Sequence, residues 1–269
     1  MLVKTLGTLA IFYALLIGVA YYAQHFLTYL PDPKRIAPAS IGLRDVTERT
    51  LATPDGEQVI YWYAAAKPGQ PTLIYFHGNG SALANRAPRF AVYQSVGWGI
   101  AMMAYRGYGG SSGRPSEMAN KSDAKQLYDA LVRDGVPPAS IVLYGESLGT
   151  GVATHVALTS PAAGLILESP YTSLPDAGAA QFWFMPVRWL MREKYDTAAI
   201  IGQIKMPVLV LHGARDRTIP VALGRRIAEL APDPKTYVEF PEGGHNDLYQ
   251  PPNHAFQHVR KFVGSVVGK

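Results

Sequence analysis

Ile141-Val142-Leu143-Tyr144-Gly145-Glu146-Ser147-Leu148-Gly149 runs from an apolar stretch into a pentapeptide that sets a serine between two glycines, and then into a helix-forming segment. A strand that reverses sharply into a helix strains its backbone and leaves little room for a Cβ, so glycines on both sides of the serine are what such a turn demands. The serine oxygen is then held outward at the end of a sheet, the setting in which a hydroxyl becomes a nucleophile. Leu148, first in the new helix, would aim its backbone N–H at an oxyanion formed there, and the helix N-terminus adds positive potential.

Two downstream segments supply partners in the order serine, acid, histidine. Pro207-Val208-Leu209-Val210-Leu211-His212-Gly213-Ala214-Arg215-Asp216 is a buried-type strand running into a loop that ends in a carboxylate, making Asp216 the candidate orienting acid. Thr236-Tyr237-Val238-Glu239-Phe240 is followed by Pro241-Glu242-Gly243-Gly244-His245-Asn246-Asp247, where glycines let a loop carry His245, the candidate general base, back over the sheet edge. A hydroxyl is a poor nucleophile until a base takes its proton, and the carboxylate fixes the imidazole tautomer and offsets its charge. Upstream, Thr72-Leu73-Ile74-Tyr75-Phe76 leads into His77-Gly78-Asn79-Gly80, a glycine-rich turn similar to the oxyanion loop of lipases and esterases. The Asn79 N–H would be the second oxyanion donor beside Leu148; losing one such donor typically costs roughly 3 to 4 kcal/mol of transition-state stabilisation.

From about Asp45 to the C-terminal helix these ordered motifs resemble the α/β-hydrolase superfamily. The Tyr105-Arg106-Gly107-Tyr108-Gly109 turn, the Glu168-Ser169-Pro170-Tyr171 strand end and the Gly244-His245-Asn246-Asp247 loop are similar to one branch of small serine hydrolases with an N-terminal membrane anchor. The resemblance implies acyl-transfer chemistry, and some relatives in that branch are acyl-protein thioesterases that remove palmitate from cysteines. It implies the chemistry better than the substrate.

At 269 residues, 48% hydrophobic and 17% charged, the chain suits an α/β domain with a sheet buried on both faces rather than a disordered one. Thr5 to Gln24 is a run of 20 residues without formal charge, long enough to cross a bilayer as a helix, with Tyr21, Tyr22 and Tyr29 placed for an interfacial belt. Residues 1–30 are therefore expected to form a transmembrane anchor. A cleaved signal peptide competes, since Gly18 and Ala20 are small enough for a cleavage site, but the apolar stretch exceeds the usual signal core. Lys4 before the span nearly balances Lys34 and Arg35 after it, so the positive-inside count barely sets orientation; the expectation is an exported catalytic domain. The absence of cysteine excludes a disulfide scaffold, a thiolate nucleophile and thiolate zinc sites. The net charge of +5 is spread without a basic run, which gives nucleic-acid binding no support and fits attraction to anionic lipid headgroups.

Residues 31–42, with three prolines between Pro31 and Pro38, read as a stiff linker, and residues 43–269 as the hydrolase domain. Eight strands are expected: Asp45–Thr53, Val59–Ala65, Thr72–Phe76, Ile100–Tyr105, Ile141–Tyr144, Leu165–Glu168, Val208–His212 and Thr236–Phe240. After the first pair, joined by Pro54-Asp55-Gly56, they alternate with helices at Arg86–Ser95, Lys121–Asp134, Leu148–Thr159, Val221–Ala231 and His254–Val267, which implies a mostly parallel, doubly wound α/β sheet. Asn79, Ser147, Asp216 and His245 all fall beyond strand carboxyl ends, where sites of such sheets gather. Residues 169–204, containing Phe182-Trp183-Phe184-Met185 and Trp189-Leu190-Met191, are expected to be a small helical cap that lines an acyl pocket or simply packs on the sheet.

Asp247 and Glu168 are reserve acids. His77 and His212 suit loop-holding hydrogen bonds, and His155 a structural place in its helix. The i, i+4 pair His254 and His258 lacks the glutamate of metalloprotease helices. Arg106, Arg114 and Arg215 suit loop fixing or solvation. The expected activity is hydrolysis of a carboxylic ester or thioester through an acyl-enzyme, with no metal or organic cofactor required. A peptidase or amidase, and a lysophospholipase or monoglyceride lipase, would use the same three residues; a non-catalytic membrane-tethered scaffold is the alternative of another class.

Overall fold

The computed structural model describes residues 1–80 and 82–267. In chain order its helices are α1 (Leu2–Thr28), α2 (Ala87–Ser95), α3 (Glu117–Arg133), α4 (Leu148–Thr159), α5 (Leu174–Gln181), α6 (Val187–Leu190), α7 (Thr197–Ile200), α8 (Val221–Leu230) and α9 (Ala255–Val266). Its strands are β1 (Thr47–Ala52), β2 (Gln58–Ala64), β3 (Thr72–Phe76), β4 (Gly99–Met103), β5 (Ile141–Glu146), β6 (Gly164–Glu168), β7 (Val208–Gly213) and β8 (Lys235–Phe240). All eight expected strands are present, with bounds within two residues of the sequence-based ones.

The strands form one sheet in the order β1-β2-β4-β3-β5-β6-β7-β8. β1 with β2 and β2 with β4 pair antiparallel, and every other pair is parallel. The sheet's centre, β3, β4, β5 and β6, is buried along its whole length, so these strands read as continuous apolar runs rather than alternating ones. The chain passes from β3 to β4 on one side and then crosses back to β5 on the other. This reversal opens a crevice beyond the carboxyl ends of β3 and β5, where ligands of open α/β sheets bind.

The turn from β5 into α4 is jammed against the end of β3. A Cβ on Gly149 would lie 2.0 Å from the Phe76 carbonyl oxygen, and one on Gly145 would lie 2.5 Å from the Gly149 carbonyl oxygen. Both contacts are to backbone, which cannot rotate away.

Between β6 and β7 the chain runs through α5, α6 and α7, capped at their starts by the side chains of Ser173 and Asp196 on α5 and α7. α1 is long and apolar enough to cross a bilayer. From Tyr13 onward it lies against this inserted segment: the Tyr13 hydroxyl donates to Phe184 O at 2.6 Å, and Gln24 Oε1 accepts from Arg192 N at 2.8 Å. Tyr29, expected at a lipid interface, is instead 2% exposed. Its hydroxyl pairs with Glu193 at 2.7 Å and with the Tyr195 hydroxyl at 2.9 Å, a polar demand that lipid does not meet.

Gly149→Ala is expected to lose at least about 3 kcal/mol of stability or to fail to fold, because strand and helix must separate to admit the methyl group. Urea unfolding measures it, and a loss below about 1 kcal/mol would contradict the packing described for this turn.

Candidate active site

Ser147 stands at the tip of the β5–α4 turn with φ 50° and ψ −117°, backbone geometry that L residues seldom adopt. Its N–H donates to Glu168 O at 2.9 Å, and its carbonyl accepts from both the N–H and the hydroxyl of Thr150, at 2.9 and 2.7 Å. These bonds hold the strained residue in place.

His245, on the loop after β8, has Nε2 3.0 Å from Ser147 Oγ and Nδ1 2.7 Å from Asp216 Oδ2. Asp216 lies on the loop after β7, and its other oxygen accepts from the Thr218 and Ile219 N–H groups, both at 2.8 Å. The structure thus brings together the three residues that the sequence singles out, although they are separated by 98 and 29 positions. The reserve acids lie elsewhere: Asp247 accepts from Gly244 N at 2.7 Å and shapes the histidine loop, while Glu168 is clamped by Arg89 at 2.7 and 3.0 Å.

Asn79 and Leu148 border the same cavity as Ser147. A Cβ on Gly78 would come within 3.3 Å of Ser147 Cβ, so the glycine lets the loop after β3 lie flat against the serine.

A family model described as "Serine aminopeptidase, S33" matches residues 67–200. The alpha/beta hydrolase domain-containing protein WAV2 of Arabidopsis thaliana is 30% identical over 221 residues, which covers 74% of this chain and 72% of that one. The chain belongs to the α/β-hydrolase superfamily. An uncharacterized Mycobacterium tuberculosis protein is 35% identical to this hydrolase over 227 residues, covering 83% and 81% of the two chains. The lysophosphatidylserine lipase ABHD12 of Danio rerio is 29% identical over 223 residues, and the hydrolase spans only 57% of it. Among solved structures, the Pyrococcus furiosus esterase Pf2001 superposes with a TM-score of 0.70 at 20% identity over 89% of this chain and 98% of that one; at this identity the likeness is one of fold.

The hydrolase's site carries features that its motifs do not announce. His212, buried at the end of β7, places Nε2 3.3 Å from the same Asp216 oxygen that His245 contacts and 3.0 Å from Ile219 O. Burial alone would raise the Asp216 carboxyl, but hydrogen bonds from His212, His245 and the Ile219 N–H overcome it and hold the acid well below the usual carboxylate range. Asp216 is therefore ionised throughout the neutral range. Gly224 is glycine for His212's sake, since a Cβ there would lie 2.0 Å from the imidazole Nδ1.

The Asn79 side chain acts as a clasp. Its Oδ1 accepts from Leu30 N, Gly80 N and the Tyr108 hydroxyl at 3.1, 2.9 and 2.8 Å, and its Nδ2 donates to Thr28 O at 2.6 Å. Burial pushes the Tyr108 hydroxyl up to about 12, so it keeps the proton that it donates. Arg106, as expected, fixes a loop: it pairs with buried Asp123 at 2.8 Å and with Asp55 at 2.6 Å.

Beneath the serine, Arg86 grips Glu146 through two bonds of 2.6 and 2.9 Å. Burial pushes the Glu146 carboxyl up, and the charges of Arg86 and Arg89 with the Tyr75 hydrogen bond outweigh that effect, leaving it lowered. His77, in the loop that carries Asn79, donates from Nδ1 to Gly78 O at 2.7 Å and packs at a tilt against Tyr105 with centroids 4.4 Å apart. Its burial lowers the imidazole to about 4, so it is neutral at pH 7.

That depression gives a pH test. The unfolded chain protonates His77 near its ordinary value of about 6.5, the folded one only near 4, so this group's contribution to stability is present above pH 6.5 and is lost as pH falls toward 4. Across that window it should amount to about 3 kcal/mol. Urea unfolding of wild type and His77→Gln should show wild type losing more stability between pH 7 and pH 4; parallel curves would show that the imidazole is not buried in its neutral form.

Proposed function

We propose that the protein is a membrane-anchored serine hydrolase of acyl esters or thioesters. Ser147 attacks the carbonyl, His245 takes the hydroxyl proton and returns it to the leaving group, and Asp216 holds the imidazole tautomer and offsets its charge. The N–H groups of Asn79 and Leu148 receive the oxyanion. Water, activated by His245 in the second half-reaction, releases the acyl group and restores Ser147. The observation that carries this reading is the pair of contacts from one imidazole, 3.0 Å to Ser147 Oγ and 2.7 Å to Asp216 Oδ2.

The cavity beside Ser147 bears on the substrate. It measures about 290 Å³ and is lined chiefly by apolar side chains, among them Leu174, Phe182, Met185 and Leu190. A peptide substrate would need backbone hydrogen-bond partners along such a groove, whereas a hydrocarbon chain needs only apolar contact. This favours an acylated lipid or an acylated cysteine over a peptide, despite the aminopeptidase description of the family model. The kinship with a lysophosphatidylserine lipase supports the lipid, and the resemblance to the anchored thioesterase branch supports the acyl-cysteine. A panel of acyl thioesters, lysophospholipids, monoglycerides and peptide amides, assayed on the full chain, separates these substrates.

A tagged fluorophosphonate should label the wild type and leave Ser147→Ala unlabelled; equal labelling of both would remove the nucleophile. Asp216→Asn should lower kcat by roughly 10³- to 10⁴-fold with labelling geometry retained, as loss of the tautomer-fixing charge does elsewhere. Near-normal turnover would take that role away from Asp216.

A further inference from the structure

The cavity at Ser147 has a wall that belongs to the membrane helix. Ala20, Tyr21 and Gln24 of α1 line it together with Met185, Leu190 and Met191 of the inserted segment. α1 is seated there by polar contacts between Tyr13 and Thr28. Tyr13 donates to Phe184 O at 2.6 Å, Gln24 accepts from Arg192 N at 2.8 Å, the Arg192 guanidinium lies 4.5 Å from the centre of the Tyr21 ring, and Asn79 Nδ2 reaches Thr28 O at 2.6 Å. A mere tether would need none of these.

The same contacts set how the site meets the bilayer. From Tyr13 to Thr28 the helix rises about 22 Å, all of it alongside protein, and Leu2 to Phe12 adds only about 15 Å. A hydrocarbon core of about 30 Å cannot be crossed by the free part alone, so the inserted segment must share the apolar zone with α1. Its rim suits that place: Trp183 is 83% and Trp189 88% exposed, and Val19, Tyr22 and Phe26 on α1 are exposed as well.

We infer that α1 is the specificity-determining wall of the acyl site: the hydrocarbon chain of a leaflet-resident acyl lipid lies between the membrane helix and the inserted segment, with its carbonyl carbon at Ser147. This rests on the hydrolase reading given above. The anchor is then a part of the binding site, and the length of chain accepted is set by the bulk at positions 20 and 21.

The test uses full-length protein in mixed micelles with p-nitrophenyl esters of 4, 8, 12 and 16 carbons, one variant filling the wall and one trimming it. Ala20→Trp should lower the ratio of kcat/KM for the 12-carbon ester to that for the 4-carbon ester by at least about tenfold, while Tyr21→Ala should move the ratio between the 16- and 12-carbon esters the other way. Val19→Trp, on the exposed side of the same helix, should leave the wild-type profile unchanged. Wild-type profiles in both wall variants, with Ser147 still taking a fluorophosphonate, would overturn the wall and leave the hydrolase intact. A wild type that neither turns over any ester nor takes the probe would overturn the hydrolase reading, and the wall with it.

Discussion

The closeness of the β5–α4 turn to the end of β3 is the constraint on which the rest of the molecule depends. With 2.0 Å between a hypothetical Gly149 Cβ and the Phe76 carbonyl oxygen, the helix can start only where glycine stands. Its start forces Ser147 into positive φ, and that conformation turns the hydroxyl out of the sheet toward the loops that follow β7 and β8. The loop after β3 is drawn to the same point, since Gly78 packs on Ser147 and Asn79 follows it. A strained residue persists only where its surroundings over-determine it, and here the Glu168 carbonyl and the Thr150 side chain do so.

Around this point the protein separates carboxylates by their partners. Glu146 and Glu168 are each matched by an arginine in a two-point grip, which makes them struts under the turn. Among the described residues no arginine pairs with Asp216: its partners are two imidazoles and two backbone N–H groups. Such partners stabilise its charge without cancelling it, so the charge remains available to an imidazolium at His245. A second histidine at the same oxygen anchors the acid from behind, and its own freedom is removed by Ile219 O and the absent side chain at Gly224.

Much of the architecture is legible in the sequence because the central strands are buried on both faces and therefore read as unbroken apolar runs. The glycines of the elbow and of the histidine loop are legible for a related reason: a close backbone approach leaves a compositional trace. Outside the serine, acid and histidine motifs, what escapes is polar side chains meeting across long separations. Nothing in the sequence near Asn79 announces that its amide holds the last carbonyl of a helix 51 positions earlier. His212 ends its strand as an ordinary loop histidine would, and its nearness to Asp216 depends on how the loop folds. Tyr29 follows an apolar span and so mimics an interfacial aromatic; only the fold supplies Glu193 and Tyr195 to its hydroxyl. The apolar span likewise hides that one of its faces lines a cavity, because lipid and acyl chain ask for the same side chains.

The central claim is that Ser147 forms an acyl-type adduct whose oxyanion is received by two backbone N–H groups from opposite sides of the crevice. The most direct measurement is a crystal structure of the full chain with an alkyl phosphonate bonded to Ser147 Oγ. The phosphoryl oxygen should lie about 2.7 to 3.1 Å from both the Asn79 and the Leu148 nitrogen, with the Asp216–His245 contact kept. An adduct whose oxygen points away from both nitrogens, or a phosphonate bonded to a different side chain, would contradict the account.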